Sequence, residues 1–212
     1  MNVPELLGVG LMLIGSGLGL GLTAYGATSF ASGKNVSPLT GFAYAFLLTL
    51  ALQAFHLVEH VAQVIQKFVL NSPQAHGLIG QLDLEQVHFV FNLLYLALLI
   101  HILLRWLTLK AELPNRWRAY ATILILTVVL QSYHQVEHTV KLGQFIQTNV
   151  QGTPGIFGLY FDFDGVIFHF IMNTLVFLPG VVVFYCAGLH RQLSIRELFG
   201  RQTLRQSAEL QG

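Results

Sequence analysis

Residues 53–60 read Gln-Ala-Phe-His-Leu-Val-Glu-His, and residues 131–138 read Gln-Ser-Tyr-His-Gln-Val-Glu-His. The two stretches share the pattern Q-x-[FY]-H-x-V-E-H and lie 78 residues apart. Each lies inside an apolar segment that is long enough to cross a bilayer. The sequence therefore predicts a duplicated polar site inside a membrane protein.

The composition indicates a lipid environment. Of the 212 residues, 54% are hydrophobic and only 10% are charged, whereas a soluble domain carries about a quarter charged residues. A lipid bilayer is therefore expected to cover most of the surface. The net charge of +1 gives no strong positive electrostatic potential that would attract nucleic acid. Cys186 is the single cysteine, which excludes an internal disulfide and a C-x-x-C motif.

Residues 1–30 are predicted to form a glycine-rich transmembrane helix. The segment contains Glu5 and no basic residue precedes Lys34, which is unlike a cleaved secretory signal. Its glycines at positions 15, 17, 19 and 21 have the small-xxx-small spacing that lets helices approach closely in lipid. This helix is a candidate contact with other membrane subunits.

Four more segments have the length and apolarity of transmembrane helices. They cover about 41–70, 85–109, 119–146 and 166–189, so the predicted fold is an all-α bundle of five transmembrane helices. Residues 191–212 alternate arginine with aliphatic residues and are predicted to form a short amphipathic helix in a basic tail.

The positions of the positive charges predict the orientation. Lys or Arg occurs in the first loop, between residues 110 and 118, and in the tail, whereas the loops 71–82 and 149–164 contain neither. By the positive-inside rule, the C-terminus is cytoplasmic, and the N-terminus and the two neutral loops are outside. We expect a multi-pass protein of the plasma or inner membrane.

The similarity between the two halves extends beyond the opening stretches. Residues 38–110 and 116–190 each contain an H-x-x-E-H helix, a loop with acidic residues, and a helix with H-x-x-x-N. Each repeat has two spans, so the copies share one orientation and are predicted to be related by an axis along the membrane normal. The six histidines then lie together in the outer leaflet.

The polar residues of each repeat, spaced three and four apart, share one helix face. Neutral imidazole and carboxylate bind transition metals, and a carboxylate inside a membrane needs a partner. Three histidines per repeat therefore predict a two-metal centre. The predicted ligands are His56, Glu59, His60, His88, His134, Glu137, His138 and His169.

A second set of polar residues is expected to orient these ligands by accepting a ring N–H, or to pass cations and protons inward. For the acidic members, the alternative is that they are solvated helix ends. The set consists of Gln53, Asp83, Glu85, Asn92, Gln131, Asp162, Asp164 and Asn173.

The motif at residues 56–60 and 134–138 resembles the inverzincin zinc-peptidase motif H-x-x-E-H, in which two histidines bind zinc and the glutamate is the base. That resemblance covers five residues, and inverzincin domains are soluble. The histidine boxes also resemble, loosely, those of membrane di-iron desaturases and hydroxylases, whose spacings differ. Neither resemblance covers enough of the chain to assign a family.

The first functional hypothesis is a membrane metalloprotein with two iron or copper ions, or zinc, that acts as an oxidoreductase on a lipid-soluble substrate or on oxygen. One alternative is transport or delivery of a metal ion, with the acidic loops as the entry. Another is a haem- or pigment-binding subunit of a larger electron-transfer complex. Zinc hydrolysis with Glu59 or Glu137 as base, and a structural network without metal, are also open.

Overall fold

The structure, a computed structural model, describes residues 37–73 and 75–193, and all regular structure in these residues is helical. Five α-helices follow one another: α1 Pro38–Phe68, α2 Glu85–Thr108, α3 Trp117–Thr148, α4 Gly155–Phe161 and α5 Gly165–Cys186. Two 3₁₀ turns, Gly80–Asp83 and Leu189–Gln192, complete the described elements.

The four long helices are long and apolar enough to span a membrane. Their ends agree with the predicted segments to within three residues, so the prediction of an all-α membrane bundle is confirmed for the described residues. The predicted helix 1–30 and the tail after residue 193 lie outside them. The short α4 lies in a predicted loop, and Pro154 precedes it with a φ of −66°.

Local signals set several of the helix ends. The Ser37 side chain accepts from Thr40 N at 3.1 Å, and Pro38 begins α1. Asn149 ends α3 in the left-handed conformation, with a φ of 56°. The start of α5 is capped by Asp164, whose carboxylate accepts from two backbone N–H groups.

Lys67 at the end of α1 pairs with Asp164 at the start of α5, and Glu85 N donates to Gln151 Oε1. The connections at residues 69–84 and 149–164 therefore lie at one end of the bundle, which we call the loop end.

Each long helix packs mainly on a helix of the other predicted repeat. α1 lies against α5, α2 lies against α3, and α3 also contacts α5. This is the packing expected of two repeats related by an axis along the bundle. It brings the matched polar residues of both halves toward one centre.

The end opposite the loops is filled by apolar side chains. Phe42 packs on Phe46 and Trp106, and Phe46 meets Phe184 edge-on with ring centroids 5.7 Å apart. A second apolar group around Tyr95 lies next to this cluster. Apolar packing thus occupies one half of the bundle, and the buried histidines lie in the other half.

Gly180 lets α5 approach α1 closely, since a Cβ atom built on it would lie 2.9 Å from Leu50 Cδ2. We predict that Gly180→Leu lowers the thermal unfolding midpoint of the detergent-purified protein, at an overpacking cost of about 1–3 kcal/mol. The control is Gly143→Leu on α3, where the same Cβ position has no neighbour within 4 Å. Equal midpoints for the two variants would contradict this packing of α1 on α5.

Candidate metal centre

Six buried histidines form two groups, each of which brings three ligand atoms within 4.8 Å of one another. The first triad consists of His56 and His60 from α1 and His88 from α2. The second triad consists of His134 and His138 from α3 and His169 from α5. Together we call them the six-histidine cluster.

Helix geometry explains the first two members of each triad. Residues four apart project from the same helix face. The Nε2 atoms of His56 and His60 are 3.2 Å apart, and those of His134 and His138 are 3.1 Å apart. Ring nitrogens at this distance share a proton or a cation, because two bare lone pairs repel. The third histidine of each triad comes from the first turns of the next long helix.

The two triads lie side by side. The rings of His88 and His138 are parallel to within 4°, with centroids 5.3 Å apart. The rings of His60 and His169 stack at 5.8 Å. The cluster therefore offers two ligand sets in one polar space, an arrangement that suits a two-metal centre.

Two glutamine–asparagine pairs lie one helical turn beyond the cluster. Gln53 Nε2 donates to Asn173 Oδ1 at 2.7 Å, and Gln131 Nε2 donates to Asn92 Oδ1 at 2.9 Å. Each pair joins the two predicted repeats. Each asparagine also donates to the backbone carbonyl of the triad histidine four residues earlier. These four residues thus hold the helices in register through amide and backbone bonds, whereas the sequence predicted bonds to imidazole nitrogens.

The histidine at the start of α5 is oriented by its own helix. His169 Nδ1 donates to Gly165 O at 2.6 Å. A ring whose Nδ1 carries the proton has its lone pair on Nε2, which is the form that binds a metal ion.

A chain of hydrogen bonds fixes His60 from the loop end. Gln63 Nε2 donates to Asp83 Oδ1 at 2.6 Å, so its Oε1 is the acceptor that receives His60 Nδ1–H at 2.7 Å. The other oxygen of Asp83 accepts from His76 Nδ1 at 3.0 Å. Burial raises the pKa of Asp83, and the hydrogen bonds from His76 and Gln63 oppose that rise. Asp83 thus orients a triad histidine through Gln63.

The two glutamates predicted as ligands bind loop backbone. Glu59 Oε2 accepts from the N–H groups of Leu78 at 2.7 Å and Ile79 at 3.1 Å. Glu137 Oε1 accepts from Phe157 N at 3.2 Å. Neither carboxylate belongs to a triad among the described residues. Backbone N–H groups offset the negative charge of each carboxylate. A buried carboxylate needs such a partner, and here the loop backbone provides it in place of a metal ion.

Glycine is required where each loop meets its glutamate. Gly77 and Gly155 have φ values of 79° and 67°, in the left-handed region that other residues rarely adopt. A Cβ atom at either position would overlap the glutamate carboxylate of the same repeat. Their N–H groups donate to Gln66 Oε1 and Gln144 Oε1, both at 2.9 Å. The matched glutamate, glutamine and glycine of each repeat form one loop anchor.

Lys141 occupies the position in α3 that Gln63 occupies in α1. Its Nζ donates to Thr153 O at 2.5 Å and lies 3.2 Å from Glu85 Oε1. Glu85 also accepts from Thr153 N at 3.2 Å, while its buried Oε2 has no hydrogen-bond partner in the described residues. Glu85, predicted to orient a histidine, forms an ion pair with Lys141.

The last two predicted acids lie at helix ends. Asp164 Oδ1 accepts from Val166 N at 3.0 Å, and Oδ2 pairs with Lys67 at 2.5 Å. Burial tends to raise the pKa of Asp164, but the bonds from Lys67 and the backbone outweigh it and leave the pKa below its ordinary value. Asp162 is exposed and ends α4 with a φ of 48°. The positions of both carboxylates agree with the alternative that these acidic residues are helix ends.

A cavity of about 410 Å³ reaches the six-histidine cluster from the loop end. Glu85 and Lys141 line it together with residues of both loops. The histidines on its wall are His60, His88, His138 and His169. Two members of each triad are therefore accessible to a small molecule that enters between the loops.

Several polar residues near the cluster were not among the predicted site residues. Gln63 and Lys141 follow the last histidine of each motif by three residues, so helical spacing places them on the ligand face. His76 and Thr153 lie in irregular segments, where no periodicity gives the direction of a side chain. Only the folded loops bring them to the site.

No known protein family, curated protein or solved structure matches this chain.

We predict that Gly77→Ala lowers the thermal unfolding midpoint more than Gly152→Ala does. Both glycines have positive φ values, 79° and 72°, so each substitution carries left-handed strain of about 1–2 kcal/mol. At Gly77 the added methyl group also overlaps Glu59 Oε2, whereas nothing lies within 4 Å at Gly152. Thermal unfolding in detergent measures the difference, and an equal effect of both substitutions would argue against the loop anchor.

Proposed function

We propose that this chain is an integral membrane metalloprotein that holds two transition-metal ions in its six-histidine cluster. The observation that carries the proposal is the pair of buried triads, each with ligand atoms within 4.8 Å of one another. Buried polar atoms without partners are costly. His169 Nε2 is buried without a hydrogen-bond partner in the described residues, and Nδ1 of the same ring donates to Gly165 O, so Nε2 has a lone pair available for an ion.

Iron and copper are the preferred metals and zinc is the third candidate, because neutral imidazole binds all three. Haem fits less well, since Nε2 atoms 3.2 and 3.1 Å apart leave no space for a macrocycle between the rings. We propose three histidines as ligands of each ion, with Glu59 and Glu137 outside the ligand set. Three protein ligands leave a position for a molecule from the cavity.

The proposed activity is oxidation or reduction of a small molecule that reaches the metals through the cavity. Charged side chains of both signs, including Asp83, Glu85 and Lys141, line this space. Such a lining favours a small water-soluble substrate over a lipid-soluble one, and oxygen is small enough to enter the same space. The metals supply the redox chemistry, and the chain's own residues orient the imidazoles and hold charge on the cavity wall.

Delivery of a metal ion is the second candidate, because acidic residues occupy the cavity mouth. Asp83, Glu85 and Asp162 all line it. The apolar cluster around Phe46 and Trp106 fills the opposite end, so the described residues offer no polar path through the bundle. Uptake of radioactive zinc into vesicles by the purified protein would favour delivery, and its absence together with bound redox metal would favour the oxidoreductase.

We predict that the loop end faces the outside of the cell. In a Cys186→Ser background, which removes the natural thiol, a membrane-impermeant maleimide added to intact cells is expected to label Tyr160→Cys. Tyr160 is 78% exposed in α4 at the loop end. The control is Glu112→Cys, which lies between α2 and α3 at the opposite end and is expected to react only after the cells are opened. The reverse labelling pattern would overturn the orientation.

We predict that protein purified without added metal contains about two transition-metal ions per chain. The variants His60→Ala and His138→Ala are each expected to lose metal while they still insert in the membrane. Each substitution removes one ligand of a buried triad. Elemental analysis with an absorption spectrum measures the loss. Full metal content in both variants would contradict the assignment, and an intense haem absorption band would replace it with haem ligation.

The matched control is Glu59→Gln, which keeps an acceptor for Leu78 N and Ile79 N but removes the charge. It is expected to retain both metal ions. Loss of one ion in this variant would return Glu59 to the ligand set.

A further inference from the structure

We infer that the two triads are not equivalent and that the first, His56–His60–His88, binds its metal ion more tightly than the second. The inference rests on the proposed function, because it concerns the same two metal positions. It comes from a comparison of matched residues in the two repeats. The decisive pair is Gln63 and Lys141, which each follow the last motif histidine by three residues.

The first triad is held from the loop end at His60. His60 Nδ1 donates to Gln63 Oε1, and Gln63 is itself fixed by its 2.6 Å bond to Asp83. Rings held in this way present Nε2 without a change of tautomer or orientation, so less ordering is required when a metal ion binds.

The second triad is held at one ring. His169 Nδ1 donates to Gly165 O at 2.6 Å. The Nδ1 atoms of His134 and His138 are buried and have no hydrogen-bond partner in the described residues. The residue that matches Gln63 is Lys141, whose ammonium group cannot accept a ring N–H and instead donates to Thr153 O at 2.5 Å.

The charges near the triads also differ. Asp83 places a carboxylate behind His60 through Gln63, which favours that imidazole as a metal ligand. Lys141 follows His138 by three residues on the same helix and lines the cavity with His88, His138 and His169. Glu85 offsets part of that charge from 3.2 Å. A nearby cation opposes the binding of a second cation, and two of these three histidines belong to the second triad.

Loss of such supporting partners typically lowers metal affinity by about 10–100-fold. The test is a titration of the full-length, metal-stripped protein in detergent with Co²⁺, in competition with a chelator of known affinity. Two binding steps are expected, separated by at least about tenfold. His56→Ala is expected to remove the tighter step, and His134→Ala the weaker one. Equal steps, or loss of the tighter step in His134→Ala, would overturn the inference.

Gln63→Met provides a second test that leaves all six histidines in place. It is expected to weaken the tighter step by about 10-fold or more and to leave the weaker step unchanged. The matched control is Gln135→Met, a buried glutamine of α3 whose Oε1 has no hydrogen-bond partner in the described residues. It is expected to change neither step. An unchanged tighter step in Gln63→Met would contradict the inference even if the alanine variants fail to fold.

The outcomes separate this inference from the proposed function. Wild-type protein that binds no Co²⁺ overturns the proposed metal centre itself. Wild-type protein that binds two ions with equal affinity leaves the metal centre standing and overturns only the inequivalence of the triads.

Discussion

Facing imidazole nitrogens, 3.2 Å apart in one triad and 3.1 Å apart in the other, set the constraint on which the rest of this structure depends. Six rings buried this close together cannot all carry a positive charge, because both desolvation and mutual repulsion oppose it. The bundle therefore has to keep most of them neutral. The outer nitrogen of His60 is held by Gln63 and that of His169 by backbone, and the helices are joined through Gln53–Asn173 and Gln131–Asn92.

The glutamate of the repeated motif has a different task from its histidines. One turn of helix separates the imidazoles, and the carboxylate between them projects to the neighbouring loop, where backbone N–H groups bind it. The left-handed Gly77 and Gly155 allow that approach. The motif thus combines two histidines of a triad and a loop anchor in eight residues. The anchored loops form the mouth of the cavity that reaches the histidines.

The two predicted repeats differ at one matched position beside the cluster. Gln63 links His60 to Asp83 through hydrogen bonds, whereas Lys141 donates to Thr153 O and pairs with Glu85. In the proposed metal centre, the two ions would therefore have unequal surroundings. Such a pair would suit a reaction in which one ion is retained and the other exchanges ligands with the cavity.

The sequence by itself determined the membrane bundle, the ends of its four described long helices and the membership of both triads. Apolarity, helical spacing and short connections are local properties, so a histidine pair on one helix and a histidine at the start of the next were predictable. Only the tertiary structure decided that Glu59 and Glu137 bind loops, that the amide pairs cross between repeats, and that Gln63 and Lys141 differ in partner. The reason is physical: helical periodicity gives the face from which a side chain projects, but the partner it meets depends on loops and helices that pack against that face from distant parts of the chain.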